Sequence, residues 1–254
     1  MKDAKPILYS NDAVAEAVTT YSEAHSLDLP KWLTDYHADV CANNTNSNLM
    51  ISTYQASALV WLARLIDAKR VLEIGVYLGF SSMTWSHAIG PSGTVTGLEF
   101  NPEFAARAEA AFQANSLGNI TLQVGDALAA LPSLPVPSAG PYDVVFIDAQ
   151  KSGYVSYLAT LLERSTPETP AAERLVRRGA LIIGDNALRR GLVADDSEAN
   201  PHRPPPEHDG EAYKGQHEDV GKMREFNDAV KASPRLEPFL LPLWDGLVLA
   251  RLVD

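Results

Sequence analysis

The stretch that decides the fold spans residues 71–82 and reads Val71-Leu72-Glu73-Ile74-Gly75-Val76-Tyr77-Leu78-Gly79-Phe80-Ser81-Ser82. An apolar run ends in an acid, two glycines follow, and the pattern then becomes that of a helix. This layout is typical of the first strand of an open α/β sheet, where nucleotide-like ligands bind at the carboxyl ends of the strands. We therefore expect a ligand site at this turn.

The spacing of the glycines indicates which ligand the turn binds. A dinucleotide-binding turn reads G-x-G-x-x-G, and its last glycine lets the helix approach a pyrophosphate. Here Glu73 is followed by Gly75, Gly79 and Ser81, with no third glycine at the phosphate position. A wide turn that carries an acid suits a ligand with hydroxyl groups and a positive charge, such as S-adenosylmethionine (SAM). A glycine-containing turn that binds nothing is the alternative.

The rest of the chain alternates between strand and helix patterns. We predict strands at 70–75, 93–98, 119–124, 142–147 and 179–184, and helices at 80–89, 102–115, 153–163 and 170–176. This alternation predicts a parallel sheet with helices on both faces. A helix at 218–232 and two strands at 236–241 and 247–252, with Asp245-Gly246 as the turn between them, predict a terminal hairpin.

Two segments lie outside this alternation. Helices predicted at 11–25, 28–43 and 52–67, with a polar linker at 43–48, divide the chain into an N-terminal helical segment (1–50) and a main domain (51–254). We expect the N-terminal segment to cover the acceptor or to contact a second subunit. The long segment 189–217 contains His202, His208 and His217, whose spacing matches no metal site, and we predict a solvated loop on the acceptor side.

Composition excludes several classes of protein. The 254 residues carry a formal net charge of -11, which argues against a nucleic acid as partner, because phosphates require clustered Lys and Arg. The single cysteine, Cys41, excludes an intrachain disulfide. The sequence has neither an apolar run long enough for a membrane helix nor the pattern of a secretory signal. We therefore expect a cytoplasmic enzyme that does not bind membranes.

Acids follow the predicted parallel strands at the edge of the sheet where ligands bind. They are Glu73, Glu99, Asp126, Asp148 and Asp185. Any one of them could instead cap a helix. We predict that Glu99 binds ribose hydroxyls, that Asp126 and the adjacent backbone of Ala127 contact the adenine, and that Glu73 faces the ammonium or sulfonium of the cofactor.

A metal site is predicted where two neighbouring strands end. Asp148 follows one strand and the pair Asp185-Asn186 follows the next, so the three side chains can meet. Two carboxylates and an amide oxygen are hard ligands that suit Mg²⁺ or another divalent cation. Lys151 lies three residues after Asp148, where it could act as a base, with an ordinary surface lysine as the alternative.

Together these motifs resemble the cation-dependent O-methyltransferases, the family that includes catechol and caffeoyl-CoA O-methyltransferases. The resemblance covers about residues 50 to 254, and the matching stretches are Ala68 to Ser81, Asp148-Ala149-Gln150-Lys151 with Tyr154 and Tyr157, Gly184-Asp185-Asn186, and Pro234 to Gly246. It implies a Rossmann-like sheet of seven strands with one antiparallel strand, a homodimer, and SAM-dependent methylation of a small, catechol-like or phenolic acceptor.

The resemblance also implies roles for individual residues. It implies metal ligands at Asp148, Asp185 and Asn186, with Lys151 as the catalytic base beside Asp148. It implies cofactor contacts at Glu73, Gly75, Tyr77, Gly79, Ser81, Glu99, Asp126, Ala127 and Asp148.

Three departures from the plant members fall where the acceptor should bind, and one of them is the long 189–217 segment. Tyr54-Gln55-Ala56-Ser57 replaces an acid-Gly-Gln segment, and Arg189-Arg190 stand near the position of a tryptophan. Gln55, Arg189, Arg190 and Trp244 are therefore the candidate acceptor-binding residues. Guanidinium groups match carboxylates and phosphates, so the arginine pair suggests an acidic acceptor, with solvated arginines as the alternative.

Other functions remain open from the sequence. One is a metal-independent methyltransferase that acts on a carboxylate or an amine. Another is a SAM-binding interaction domain that holds a partner through the 189–217 segment. A nicotinamide-dependent oxidoreductase is disfavoured by the glycine spacing of the first turn.

Overall fold

The computed structural model describes residues 11–203 and 211–254, with the backbone alone for 211–217. The α-helices are α1 (Asp12–Ala24), α2 (Lys31–Asn43), α3 (Thr53–Leu65), α4 (Phe80–Ile89), α5 (Pro102–Ala114), α6 (Ala127–Ala130), α7 (Tyr154–Glu163) and α8 (Glu211–Ala232). The strands are β1 (Arg70–Ile74), β2 (Thr94–Glu99), β3 (Ile120–Val124), β4 (Tyr142–Ile147), β5 (Val176–Gly184), β6 (Leu236–Leu241) and β7 (Leu247–Leu252).

The strands form one seven-stranded sheet in the order β3-β2-β1-β4-β5-β7-β6. Strands β1 to β5 pair in parallel, whereas β7 runs antiparallel to both β5 and β6. Apolar clusters cover both faces of the sheet. The predicted Rossmann-like fold, with its antiparallel C-terminal strand and extra N-terminal helices, is therefore confirmed.

Strand β4 is the centre of the core because every residue in it is buried. It lies between β1 and β5, and its Val144, Val145, Phe146 and Ile147 side chains are fully enclosed. Burial of each such side chain stabilises the fold by about 1.5–3 kcal/mol. Asp148 therefore emerges from the carboxyl end of a fully buried strand that is paired on both sides.

Two predicted elements differ from the structure. The helix predicted at 170–176 is wrong: residues 170–175 form a turn and bend after Pro170, and β5 begins at Val176, which pairs with Tyr142. Sheet pairing overrides the local helical pattern there. Helix α8 begins at Glu211 rather than at 218, so the end of the predicted 189–217 loop is helical.

The N-terminal helices pack on the main domain. Leu33 of α2 is fully buried in the cluster that contains Phe80, and the Tyr36 hydroxyl donates to the carbonyl of Leu78, at 2.6 Å. The division at residue 50 stays a prediction. No helix in the described ranges has the length and apolarity needed to cross a bilayer.

Candidate active site

A cavity of about 1150 Å³ opens where the parallel strands end. Its walls include residues at or just after the ends of β1 to β5, namely Gly75, Glu99, Asp126, Asp148 and Asp185. The loop 48–52 and residues 188–191 complete the walls. Small-molecule sites commonly enclose about 300–1,000 Å³, so the space accommodates a cofactor together with an acceptor.

The turn after β1 needs glycine at two positions for different reasons. Gly75 has φ +94°, and a Cβ there would collide with the backbone of Asp148, so glycine lets the β1 turn approach the end of β4. Gly79 has φ +89° and begins α4, and a Cβ there would lie 2.6 Å from the Phe112 ring. Gly79 does not line the cavity, so the structure gives it a packing role, and its contact with the cofactor stays a prediction.

Glu99 lies where the sequence predicts a ribose ligand, and it also fixes the turn. Its Oε2 accepts the N–H groups of Val76 (3.0 Å) and Tyr77 (2.8 Å), and its Oε1 accepts that of Asn101 (2.8 Å). The carboxylate lines the cavity although the residue is buried. Glu99 is therefore held in place before any ligand arrives.

Glu73 departs from its predicted place. It is fully buried beneath the turn, its Oε2 accepts the Ser82 hydroxyl, and its Oε1 has no hydrogen-bond partner. Burial raises its pKa to about 8, so the carboxyl is mostly neutral at pH 7. Glu73 lines neither this cavity nor the smaller one beside it, which Ser81 lines. The prediction that Glu73 neutralises a cationic part of the cofactor is therefore revised: the side chain points into the fold.

The remaining predicted cofactor residues line the cavity. Tyr77 (φ +53°) packs edge-on against Phe104, with 4.8 Å between ring centroids, and its hydroxyl donates to the carbonyl of Asn46. Asp126 caps α6 by accepting the Leu128 N–H at 2.9 Å, and it lines the cavity together with Ala127. Asp126 thus combines the capping role with a position at the site.

Asp148, Asp185 and Asn186 all line this cavity. Asp185 is buried; its Oδ1 accepts the N–H of Asn186 (2.7 Å), and its Oδ2 accepts an N–H of the Gln55 side chain (2.9 Å). Asn186 has φ +56°, a left-handed conformation that asparagine adopts more readily than most non-glycine residues.

The electrostatics of these acids fit a cation. Burial raises the pKa of Asp148, although Lys151 opposes the shift. Burial and the nearby Asp148 carboxyl raise the pKa of Asp185 to about 7. The negative charge of one carboxylate makes ionisation of the other less favourable, and a bound cation would relieve this repulsion. Carboxylate and amide oxygens are hard ligands, so the two carboxyls and the Asn186 amide suit Mg²⁺. Within the described ranges, no group of three or more His, Cys, Asp or Glu side chains is placed to hold a metal, and the present set contains only two such residues together with Asn186.

Lys151 is buried beside Asp148. Its Nζ donates to Asp148 Oδ1 (3.1 Å) and to the Tyr154 hydroxyl (2.8 Å). Tyr154 is fully buried, and its hydroxyl lies 3.0 Å from the carbonyl oxygen of Ile147 and 3.2 Å from that of Asp185. This hydroxyl therefore joins the lysine to the ends of β4 and β5. The sequence assigned Tyr154 no role, although it belongs to the stretches that resemble the family and lies three residues after Lys151.

The predicted acceptor residues lie at one side of the cavity. Gln55 is buried, lines the cavity and donates to Asp185, so it supports a candidate metal ligand. Trp244 (φ +56°) lines the same side, and its ring packs edge-on against Tyr54 with 5.5 Å between centroids. Asp245, predicted only as part of a turn, also lines the cavity.

Residues 189–203 are more ordered than a solvated loop. The Arg224 side chain of α8 donates to the carbonyls of Val193 (2.8 Å) and Leu192 (2.9 Å). Arg189, Arg190 and His202 line the cavity. The remaining predicted histidines, His208 and His217, lie outside the described side chains. The first part of the predicted loop is therefore a wall of the site.

Comparisons with known proteins agree with this geometry. A family model described as O-methyltransferase matches residues 23–253. O-methyltransferase ankF of Aspergillus thermomutatus is 32% identical over 243 residues, covering 95% of each chain. A catechol O-methyltransferase of Niastella koreensis is 30% identical over 231 residues, covering 86% of this chain and 92% of its own.

Solved structures agree as well. The SAH-bound Podospora anserina methyltransferase PaMTH1 superposes with a TM-score of 0.84 at 27% identity, covering 98% of this chain and 100% of its own. The chain therefore belongs to the O-methyltransferase family and is a SAM-dependent O-methyltransferase of the catechol and caffeoyl-CoA type.

Proposed function

We propose that this enzyme methylates one hydroxyl of a small aromatic diol that is held on a divalent cation, Mg²⁺ in the simplest case. The observation that carries the proposal is that Asp148, Asp185 and Asn186 line one cavity with Lys151, whose Nζ contacts the Asp148 carboxylate. A carboxyl pair next to a buried lysine suits an acceptor whose oxygen must become anionic.

The proposed reaction is an in-line displacement. The acceptor oxygen forms a bond to the methyl carbon of SAM, the carbon–sulfur bond breaks, and S-adenosylhomocysteine (SAH) leaves as a neutral thioether. An unperturbed phenol has a pKa of about 10 and is mostly neutral at pH 7. A divalent cation bound at the three oxygen donors would stabilise the anionic form of the acceptor.

The chain's own residues supply position and proton transfer. Asp148 and the Tyr154 hydroxyl fix two directions of the Lys151 ammonium group, and Lys151 also lines the cavity. In the proposed reaction the Lys151 ammonium group first releases a proton to solvent, and its Nζ then accepts the hydroxyl proton of the acceptor. Glu99 and Asp126, at the opposite side, hold the ribose and the adenine. Fixing both substrates lowers the entropic part of the barrier.

The test is a cofactor-consumption assay with benzene-1,2-diol (catechol), with and without Mg²⁺. SAH should form in the presence of Mg²⁺ and cease in excess EDTA. Asp185→Ala should lower turnover at least about 100-fold while SAH still binds by calorimetry. Asp228→Ala, a matched change at an exposed position on α8, should leave turnover intact. Full activity in EDTA would contradict the proposal.

The same assay separates the alternatives. SAH formation from carboxylic acids or amines in EDTA would support a metal-independent methyltransferase, and binding of SAM without any turnover would support an interaction domain. The homodimer, the cytoplasmic location and the lack of nucleic-acid or membrane partners stay predictions. Light scattering on the purified enzyme tests the dimer.

A further inference from the structure

The acceptor side of the cavity carries charges of both signs. Asp245 lies on this side and acts electrostatically on Asp148. Arg189 and Arg190 form part of the same wall. The two arginines are consecutive in sequence, but they differ in how their side chains are bonded.

The charge of Arg189 is already compensated. Its Nη2 lies 2.8 Å from Asp219 Oδ2, and the two side chains are 26% and 33% exposed. This partly buried ion pair ties residue 189 to α8 and occupies one edge of the guanidinium. A ligand anion would have to compete with Asp219 for the same group.

Arg190 differs from Arg189 because hydrogen bonds fix its backbone while its side chain has no partner among the described residues. Its N–H donates to the Asp245 carboxylate, and its carbonyl accepts from the Asn200 side chain at 3.4 Å. Within the described parts of the chain, the Arg190 guanidinium forms no ion pair or hydrogen bond, although the residue lines the cavity.

The backbone at Arg190 is also strained. Its φ is +56°, and that of Arg189 is +46°; this left-handed conformation costs a non-glycine residue about 1–2 kcal/mol, so both arginines share the strain. Such conformations are retained where neighbouring contacts stabilise them, and they are frequent at ligand sites. Here the surroundings are the hydrogen bonds of Asp245 and Asn200, which anchor the residue on both sides.

We propose that Arg190 is an anion subsite and that the acceptor is an aromatic diol bearing a carboxylate. The inference rests on the proposed function, because the diol end is the part that the oxygen donors of Asp148, Asp185 and Asn186 would recognise through the cation. The planar guanidinium matches a carboxylate with two parallel hydrogen bonds. The carboxylate end then fixes which hydroxyl faces SAM, so Arg190 determines specificity.

The experiment compares two ligands that differ in one group, 3,4-dihydroxybenzoate and catechol. Their affinities are measured by calorimetry on the enzyme loaded with SAH and Mg²⁺. The acid should bind about tenfold more tightly than catechol, as expected for a hydrogen-bonded charged group at a partly solvated site. In Arg190→Gln the two affinities should become equal, while catechol affinity is unchanged.

Two controls separate a local effect from a general change in charge. Arg178→Gln removes the charge of an exposed arginine on β5, outside the cavity lining, and should keep the wild-type ratio. Arg189→Gln should lower the ratio less than Arg190→Gln, because Asp219 already compensates its charge. Equal affinities in the wild type, or a ratio that survives Arg190→Gln, would overturn the inference.

Failure of this inference is distinguishable from failure of the proposed function. If catechol is methylated with Mg²⁺ but the ratio does not depend on Arg190, only the anion subsite is refuted. If neither diol is methylated, the proposed reaction is refuted, while the binding ratio still decides whether Arg190 recognises a carboxylate.

Discussion

Replacing Glu73 by glutamine tests whether a neutral carboxyl lies beneath the cofactor turn. The side chain is fully buried, one of its oxygens has no partner, and its pKa is raised to about 8 mainly by burial. Glutamine has nearly the same shape and never ionises. The variant therefore removes the titration of this group while keeping its volume in the core.

The sign and size of the effect follow from the two pKa values. The ordinary value is 4.5 and the folded value is about 8, so the folded chain binds more protons between them. The free energy of unfolding therefore falls as pH rises through this window. Each pKa unit corresponds to about 1.4 kcal/mol, which gives a full penalty on the order of 5 kcal/mol. Between about pH 5 and pH 8 the wild type should lose about 4 kcal/mol relative to Glu73→Gln.

Urea denaturation across this pH range measures the difference. Glu109→Gln, the same substitution at an exposed position of α5, should follow the wild-type curve. Because a neutral group replaces a mostly neutral group, SAH affinity at pH 7 should change less than about threefold in Glu73→Gln. Parallel stability curves for the wild type and Glu73→Gln, or a large loss of SAH binding, would refute the neutral buried carboxyl.

Three further substitutions probe the support of the site. Tyr154→Phe deletes the hydroxyl that contacts Lys151, so kcat should fall about tenfold while SAH affinity is unchanged. The control is Tyr142→Phe, at a buried tyrosine at the opposite end of β4, and a similar loss of kcat there would indicate a general packing effect. Gln55→Leu removes a hydrogen-bond donor to Asp185, so the Mg²⁺ concentration for half-maximal activity should rise at least about tenfold. An unchanged Mg²⁺ titration would show that Gln55 does not position Asp185 for the metal. Asp143→Asn weakens two arginine ion pairs far from the cavity, so the free energy of unfolding, measured by urea denaturation, should fall by about 3 kcal/mol while kcat is unchanged. A variant as stable as the wild type would contradict the stabilising role of these pairs.

The fold and the meeting of the acids were predictable because they depend on periodic patterns. Consecutive buried strands separated by helices force a parallel sheet, and the carboxyl ends of its strands share one edge. That rule alone brings Asp148 and Asp185 together, since β4 and β5 are neighbours. The same reasoning fails at 170–176, where pairing with Tyr142 extends β5 and outweighs local helix propensity.

The details of the site were less predictable because a sequence does not show where a side chain points. Glu73 and Glu99 both follow the pattern of an acid at a strand end, yet one is buried in the fold and the other lines the cavity. Arg189 and Arg190 are identical in type, and the partners that distinguish them, Asp219 for the Arg189 side chain and Asp245 for the Arg190 backbone, are distant in sequence. Such differences arise from long-range contacts that no local pattern records.

The central claim is that one divalent cation binds between the side chains of residues 148, 185 and 186. Crystals soaked in Mn²⁺ with SAH, measured with anomalous scattering, test it most directly. We predict a single strong peak within coordination distance of oxygen atoms from Asp148, Asp185 and Asn186, about 2.0–2.3 Å away. If no anomalous peak appears there at saturating Mn²⁺, and the three side chains point away from one another, the account is contradicted.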